Sequence, residues 1–202
     1  MEILWIRHAE PERIESGSGV PADPALTAAG RAQAERLAAW LAGEQIDVVY
    51  ASPQRRARET AAPLAATHGL EVVVEPGIVE FDVHADHYIP VEEIRRTDPE
   101  QWQAMITGEW ETLGGESAQE FRSRVIAAMD GIVAANPGRR VAAVCHGGVV
   151  NCALGAVLGI EAPLWFDPHY TSLSRIVASR SGVRSVVSLN ERAHLDGTRD
   201  PH

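Results

Sequence analysis

The stretch ILWIRHAEPE, residues 3–12, is a short apolar run that ends directly in charged and titratable side chains. Ile3–Ile6 has the continuous apolar character of a buried strand, so we predict a first strand over Glu2–Arg7. Arg7 and His8 follow with no turn residue between them. Because Arg is almost never fully buried without a partner, this strand either reaches the surface at its end or is built into a site.

The bulk composition is that of an ordinary globular domain. The chain has 202 residues, of which 45% are hydrophobic and 23% charged, which predicts one domain with a sizeable core. No apolar stretch reaches membrane-spanning length, and the chain begins with a strand rather than a signal peptide. Cys145 and Cys152 lack metal or redox spacing, so we predict a reducing, cytoplasmic setting with no membrane partner.

The charge balance limits the classes of partner. A formal net charge of −10 argues against nucleic acid and anionic membranes as partners. All 18 basic residues are Arg. This bias lowers the weight of any single Arg cluster, so the position of an Arg in the fold is the better guide to its role.

Strand and helix signals alternate along the chain, which favours an α/β layered fold. Thr27 is predicted to cap the helix in LTAAGRAQAERLAAWLAG, and Gly43 suits the position just past its end. IDVVYAS is predicted to be the second strand and LEVVVEP the third. Between them we predict a helix capped by Ser52, with Pro53 at its first position and a kink at Pro63.

The regular pattern breaks from about residue 77 to 114, where short, interrupted helices predict a cap inserted over one face of the sheet. Ser117 and Glu120 then have the spacing of a capping box. RVAAVCHGG is predicted to be the fourth strand, followed by an apolar helix. TSLSRIVAS and VRSVVSL predict a closing hairpin, whose apolar edge would pair two copies into a homodimer.

Three predicted strands end in polar groups: Arg7-His8, Ser52 followed by Arg55 and Arg56, and Cys145-His146-Gly147. The carboxyl ends of neighbouring parallel strands meet at one crevice, so these side chains should converge. Two His and two or three Arg suit a compact dianion such as phosphate. Backbone N–H groups of Gly147 and Gly148 at a helix start would attract the same anion.

The role of His8 depends on its ring nitrogens. A neutral imidazole attacks phosphorus through one nitrogen when a hydrogen bond holds the other. Nearby Arg charges favour the neutral form and also stabilise the charge on a transferring phosphoryl group. The chemistry alone leaves a second interpretation open, in which His8 merely donates a hydrogen bond to phosphate.

Five blocks, RHAE, LTAAGRAQA, SPQRRARETA, GGES and CHGG, occur in the order and spacing of the histidine phosphatase superfamily. The chain resembles these phosphoglycerate-mutase-like proteins over essentially its whole length. The resemblance implies a three-layer α/β/α sandwich with a mostly parallel central sheet. It also implies a single domain over residues 1–202 that carries the small cap at about 77–114.

The resemblance assigns roles to the phosphate-binding residues. His8 matches the nucleophile that becomes a phosphohistidine, and Arg7 matches the Arg beside it that grips phosphate. Arg56 matches the second phosphate-binding Arg, with its neighbour Arg55 the weaker choice. Gly147 joins the phosphate-binding set because of its backbone N–H at the helix start, not because of the resemblance.

The resemblance also assigns the proton-transfer residues. His146 matches the second active-site His, which contacts the transferring group. Glu80 lies where the family places the proton donor for the leaving oxygen, and the same residue would then serve as base. The segment after Glu80 reads FDVHADHYIP instead of the family's Gly-Trp-Glu-Gly type, which makes Asp82 the alternative acid.

The predicted function is a metal-independent, cofactor-free phosphatase that hydrolyses a small phosphomonoester through phospho-His8. A cofactor-dependent phosphoglycerate mutase is one alternative, although that branch reads His-Gly-Asn where residues 146–148 read His-Gly-Gly. A non-catalytic phosphate-binding module is another. Ile14 stands where the family often has Asn, so that contact would be absent or would come from Ser16 or Ser18.

Other titratable residues have less specific interpretations. His84, Asp86 and His87 suit zinc in type but lack a further spaced ligand, so we interpret them as cap residues that shape specificity. Cys145 is predicted to lie in the core, because neighbouring strand residues face opposite sides of a sheet. Glu10, a carboxylate beside a dianion site, is interpreted as a loop or orienting residue.

Overall fold

Six strands form one mixed sheet in the part of the chain that the computed structural model describes, residues 1–15, 19–113 and 115–195. The strands are β1 (Glu2–Arg7), β2 (Val48–Ala51), β3 (Val72–Val74), β4 (Arg140–Cys145), β5 (Leu173–Ala178) and β6 (Arg184–Glu191). The helices are α1 (Ala28–Leu41), α2 (Arg55–Thr67), α3 (Val91–Thr97), α4 (Pro99–Thr107), α5 (Ala118–Ala135) and α6 (Gly147–Leu158). Short 3₁₀ turns cover Pro76–Ile78, Trp110–Leu113 and Ala193–Leu195.

The strand order β3-β2-β4-β1-β5-β6 confirms the mostly parallel sheet with a closing hairpin. Strands β3, β2, β4 and β1 pair in parallel, while β5 pairs antiparallel with both β1 and β6. Arg7 pairs with Cys145, and Ala51 pairs with Val144. The carboxyl ends of β1, β2 and β4 are therefore level, which brings the residues that follow them to one edge.

Alternation along β1 explains the two layers that cover the sheet. Leu4 and Ile6 are buried against α1 and α2, whereas Ile3 and Trp5 are buried in the cluster on the opposite face with α5 and α6. Successive strand side chains point to opposite faces, so one apolar strand supplies both cores. Helices on both faces make the predicted three-layer sandwich.

Two helix starts match the sequence prediction. The Thr27 hydroxyl accepts a hydrogen bond from the Gly30 N–H at 2.9 Å, which caps α1. Ser117 and Glu120 form the reciprocal capping box of α5. Each cap satisfies N–H groups that the first helical turn leaves without partners.

The predicted start of α2 is wrong. The helix begins at Arg55 after an uncapped Gln54, so Ser52 is not its cap and Pro53 is not its first residue. The Ser52 hydroxyl instead lies 2.8 Å from His146 Nε2, across the sheet edge. The same hydroxyl also accepts a longer hydrogen bond from the Gln54 N–H at 3.4 Å, so it keeps a local contact without starting the helix. Pro63 lies inside the helix.

The segment from residue 77 to 113, called the cap segment below, consists of α3, α4, two short turns and the irregular chain between them. Its buried side chains Ile94, Met105 and Trp110 belong to the same apolar cluster as α5 and α6. Phe81 stacks on Trp110 with ring centroids 4.3 Å apart. Gly114, the predicted end of the cap, lies outside the described residues, as do Ser16 and Ser18.

None of the helices in the described ranges is both long enough and apolar enough to cross a membrane.

Candidate active site

The three polar strand ends meet at the edge where β1, β2 and β4 finish. Arg56 Nε lies 3.3 Å from His8 Nε2, and the rings of His8 and His146 are 5.1 Å apart. Arg7, His8, Arg56 and His146 are all buried, with at most 3% of each residue exposed. The predicted convergence of two imidazoles and two guanidiniums is present in the structure.

Local contacts determine the tautomer of His8. Its Nδ1 donates a hydrogen bond to the carbonyl oxygen of Ala9 at 2.8 Å. A carbonyl only accepts, so Nδ1 carries the proton and Nε2 presents a lone pair to the site. Burial, then the charges of Arg56 and Arg7, lower the pKa of His8 well below its usual value. The ring is therefore neutral at physiological pH.

Arg7 is held on several sides. Its Nη1 lies 2.8 Å from Glu92 Oε1 and donates to the Pro168 carbonyl at 2.7 Å, while the guanidinium stacks 4.0 Å from the Tyr170 ring centroid. Among the described residues, Arg7 Nε and Arg56 Nη1 are buried donors without a hydrogen-bond partner. The two side chains, called the guanidinium pair below, thus retain donors for an anion.

Arg56 and Arg55 have different environments, although they are adjacent. Arg56 is buried, lies 3.3 Å from Asp82 through Nη2, and sits over the Tyr88 ring at 4.6 Å. Arg55 is exposed and pairs with Glu59 at 2.6 Å. The structure therefore places Arg56 beside His8 and Arg55 on the surface.

His146 is the N-terminal flanking residue of α6 and is completely buried. Its Nε2 shares a hydrogen bond with the Ser52 hydroxyl, and its Nδ1 has no partner within the described ranges. Burial, Arg56 and His8 lower the pKa of His146 well below its usual value. A second neutral imidazole thus lies beside His8.

Glu80 is a buried carboxyl group, 7% exposed. The Gly148 N–H donates to its Oε2 at 2.9 Å, and the Phe81 N–H donates to its Oε1 at 3.3 Å. Burial, followed by the negative charge of Asp82, raises the pKa of Glu80 to about 7. The prediction that Gly148 offers its N–H to an anion is wrong, because that N–H holds Glu80. Gly147 lines the cavity beside it.

Arg124 positions the segment that carries Glu80. It donates to the carbonyl oxygens of Gly77 and Val79 at 2.9 and 3.0 Å, and it forms a close ion pair with Glu116. The GGES block therefore supports the site through Glu116. The sequence does not indicate that Arg124 is the partner of this block, because the recognisable features of α5 are its capping box and its buried apolar residues.

Sequence reasoning also missed three residues that surround the guanidinium pair. Glu92 and Tyr170 contact Arg7, and Tyr88 contacts Arg56. Tyr88 and Glu92 lie in the cap segment, where no periodic pattern predicts which side chain faces the sheet. Their only signal is their residue type, since aromatic rings and carboxylates are the usual partners of buried Arg.

The remaining candidates have structural environments. His87 Nδ1 lies 3.1 Å from Asp86 Oδ1, and within residues 1–15, 19–113 and 115–195 no three His, Cys, Asp or Glu side chains are grouped to hold a metal ion. Cys145 is fully buried, which confirms its predicted core position. Glu10 accepts a hydrogen bond from the Thr27 hydroxyl at 2.8 Å and so supports the start of α1.

A cavity of about 300 Å³ lies beside the guanidinium pair, His8 and Glu80. Arg7, His8, Arg56 and Glu80 form one part of its wall, and apolar side chains of the cap segment and of residues 164–166 form another. The arrangement combines a neutral imidazole whose unprotonated nitrogen faces Arg56, two guanidiniums with spare donors, and a carboxyl group whose pKa is near neutrality. Such a set can hold a phosphate and transfer protons to or from it.

Comparison with known proteins identifies the family to which the chain belongs. The sequence profile described as histidine phosphatase superfamily (branch 1) matches residues 3–192, which confirms the resemblance. Phosphoserine phosphatase 1 of Hydrogenobacter thermophilus is 30% identical over 200 residues, covering 96% of this chain and 94% of its own. A probable phosphoglycerate mutase GpmB of Yersinia enterocolitica is 29% identical, covering 97% and 95%. The structure of Bacillus stearothermophilus YhfR matches with a TM-score of 0.80 and 24% identity, covering 96% of this chain and 99% of its own.

Proposed function

The chain belongs to branch 1 of the histidine phosphatase superfamily, and from this premise we propose that it is a phosphomonoester hydrolase that works through a phosphohistidine on His8, without a metal ion. One observation carries the proposal: His8 Nε2 is unprotonated and lies beside two buried guanidiniums that keep unused donors. The similarity to a protein named phosphoserine phosphatase 1 supports hydrolysis as the outcome.

In the first step, the Nε2 lone pair of His8 attacks phosphorus while the bond from phosphorus to the ester oxygen breaks. Arg7 and Arg56 donate hydrogen bonds to the phosphoryl oxygens and balance their charge in the transition state. The Nδ1–H bond to the Ala9 carbonyl stabilises the positive charge that the imidazole gains. His146, 5.1 Å from His8, is the group we assign to contact the transferring phosphoryl oxygens.

Glu80 is the acid that we assign to the leaving oxygen. Its pKa of about 7 keeps a substantial protonated fraction at neutral pH, as a proton donor requires. Asp82, the alternative acid, lies 3.3 Å from Arg56 and is more exposed than Glu80. Asp82 is engaged by the Arg56 guanidinium, whereas Glu80 is held by backbone N–H groups beside the site, so we assign the acid role to Glu80.

In the second step, a water molecule attacks the phosphohistidine, and the bond from phosphorus to Nε2 breaks. Glu80, now a carboxylate, accepts the proton of that water. Inorganic phosphate leaves, His8 returns to its neutral tautomer, and Glu80 regains the proton it donated. The two steps consume one water and regenerate all protein groups.

The test is to trap the intermediate. Protein mixed with an aryl phosphate and quenched in alkali, where a phosphoramidate survives, should carry a phosphoryl group on the peptide that contains His8. His8→Ala should lose the modification and at least about 10³-fold in kcat, since removing a nucleophile costs at least that much. A chelator should leave turnover unchanged. Turnover by His8→Ala at the parent rate would refute the mechanism.

Phosphoglycerate mutase activity remains the second candidate, because the GpmB relative is as similar as the phosphatase. Both reactions share the phosphohistidine, so the intermediate does not separate them. Incubation with 3-phosphoglycerate and a trace of the bisphosphate does: a mutase interconverts the monophosphates, whereas a phosphatase releases inorganic phosphate. A phosphate-binding module would do neither and would bind phosphate without turnover.

A further inference from the structure

The cavity is larger than a phosphate group needs, and large apolar side chains form much of its wall beyond the guanidinium pair. Its volume of about 300 Å³ lies at the lower end of pockets that enclose drug-sized ligands. The apolar wall includes six large side chains from the cap segment and the chain after α6: Ile89, Ile94, Trp102, Met105, Leu164 and Phe166.

Part of this wall is tightly built. The Asn151 side-chain amide donates to the Gly147 and Phe166 carbonyls at 2.9 and 3.0 Å. Its Oδ1 accepts from the backbone N–H groups of Trp165 and Phe166, at 2.9 and 3.0 Å. Trp165 Nε1 donates to the Asn151 carbonyl. Asn151, a buried residue of α6, thus fixes Trp165 and Phe166 against the first turn of that helix, which begins at Gly147.

The cavity offers little to a leaving group that carries a carboxylate. Apart from the guanidinium pair, Arg95 is the one guanidinium among the described residues that line it, and Arg95 is ion-paired with Asp167 at 3.1 Å. Asp82 and Asp167 add negative charge to the wall. A carboxylate in the leaving group would lose its hydration among apolar side chains without gaining an uncommitted cation, which is unfavourable.

We propose that the group esterified to phosphate in the preferred substrate is large, uncharged and apolar, and that it occupies this wall of Trp102, Met105, Leu164 and Phe166. The proposal rests on the phosphatase activity inferred above. It separates this protein from relatives named for phosphoserine or phosphoglycerate, whose leaving groups are small and charged.

The n-alkyl phosphates from ethyl to hexyl test the proposal, because their alcohols are nearly equal as leaving groups. The value of kcat/KM should rise with chain length by up to about fourfold per methylene, which corresponds to ~0.8 kcal/mol per buried methylene. Propyl phosphate and phosphoserine have three-carbon skeletons and differ in charge. Propyl phosphate should be the better substrate by about tenfold or more.

Matched variants locate the effect. Trp102→Ala should lower the ratio of kcat/KM for hexyl phosphate to that for ethyl phosphate. Trp40→Ala removes the same side chain from α1, where Trp40 stacks on His194 away from the cavity, and should leave the ratio unchanged. Thermal unfolding of both variants identifies any loss due to misfolding. The binding of hexylphosphonate and ethylphosphonate to the parent protein gives a readout that needs neither variant.

The outcomes are distinct. A flat chain-length series, or phosphoserine as the better substrate, overturns the apolar-wall proposal while the phosphatase proposal stands. If none of the esters is hydrolysed, the phosphatase proposal fails, and the affinities for the two phosphonates then test the apolar-wall proposal independently. Equal affinity for them refutes it, and tighter binding of hexylphosphonate supports it.

Discussion

The strand ends and the cap segment line one cavity, but they do so by different means. At the strand ends, level parallel strands place Arg7, His8 and His146, and the register of the sheet determines their spacing. The cap segment has short helices, and its place depends on side-chain contacts such as the ion pair between Glu92 and Arg7. The sheet thus positions the groups proposed to hold and attack phosphorus, while the cap segment contributes the proposed acid and, together with Leu164 and Phe166, the apolar wall.

This division teaches where chemistry and selectivity reside in the molecule. Groups at the sheet edge are held by the hydrogen-bonded register of β1 with β4 and of β2 with β4. Glu80 stands between the two regions: it follows a short turn at the start of the cap segment, yet the N–H of Gly148 on α6 holds it. The predictions below alter one region at a time.

The largest effect is expected when the acid is removed from the cap side. Glu80→Gln should lower kcat for an alkyl phosphate by about 10²–10⁴-fold, because the leaving alkoxide then receives no proton. The loss should be much smaller for p-nitrophenyl phosphate, whose phenolate leaves unaided. Asp82→Asn is the matched control and should be milder on both substrates. A greater loss from Asp82→Asn on the alkyl ester would make Asp82 the acid.

The pH dependence of the parent protein distinguishes Glu80 in the cap segment from His8 at the strand end. Glu80 must be protonated to act as acid, so kcat/KM for an alkyl phosphate should fall as pH rises through about 7. With a pKa of about 7, loss of a single proton predicts a fall of about 50-fold from pH 7 to pH 9. His8 stays neutral in this range, since its pKa lies well below the usual value. Glu80→Gln should abolish the alkaline limb; an identical limb in that variant would assign it elsewhere.

A smaller effect is expected from a substitution at Gly148, the residue of α6 that contacts Glu80. A Cβ added at Gly148 would lie 2.5 Å from Glu80 Oε1, so Gly148→Ala must displace the carboxyl group. We expect kcat to fall by about tenfold to hundredfold, as misplacement of a catalytic group by about 1 Å does. Gly131→Ala, in α5 with open space around it, is the control and should retain full activity. Unchanged kcat in Gly148→Ala would show that Glu80 needs no such positioning.

The smallest change concerns the attachment of the cap segment. Glu92→Gln breaks a buried ion pair with Arg7 and should lower the free energy of unfolding by about 3 kcal/mol, measured in urea. Glu93→Gln breaks the neighbouring surface pair with Arg13 and should cost at most about 1 kcal/mol. Equal costs would mean that the buried pair does not hold the cap.

The contribution of Glu92 to the free energy of unfolding should also depend on pH. Burial by itself would raise the pKa of Glu92, but the charge of Arg7 and the hydrogen bonds from the backbone, Arg7 and Tyr170 together lower it. A carboxylate with a lowered pKa stabilises the fold above its unfolded pKa, and this contribution disappears as pH falls through the folded value. The difference between the parent protein and Glu92→Gln should therefore be complete at neutral pH and should vanish in acid.

Much of the sheet region could be predicted from the sequence because its signals are local. The apolar run before Arg7 predicts β1, the spacing of Ser117 and Glu120 predicts a capping box, and the polar residues after three strands predict convergence. Each of these signals depends on neighbours along the chain or on the general geometry of parallel sheets. The sequence by itself therefore determined the layered α/β fold and the meeting of His8 and Arg56 at one edge of the sheet.

Tertiary structure alone decided which groups complete the site. Ser52 has the local features of a helix cap but bonds to His146, and Gly148 at a helix start binds Glu80 instead of leaving its N–H to an anion. The pairing of Glu92 with Arg7 and the apolar wall that Asn151 fixes join segments far apart in the chain. Buried polar groups take whichever partner the packed chain brings near, and no local pattern records that choice.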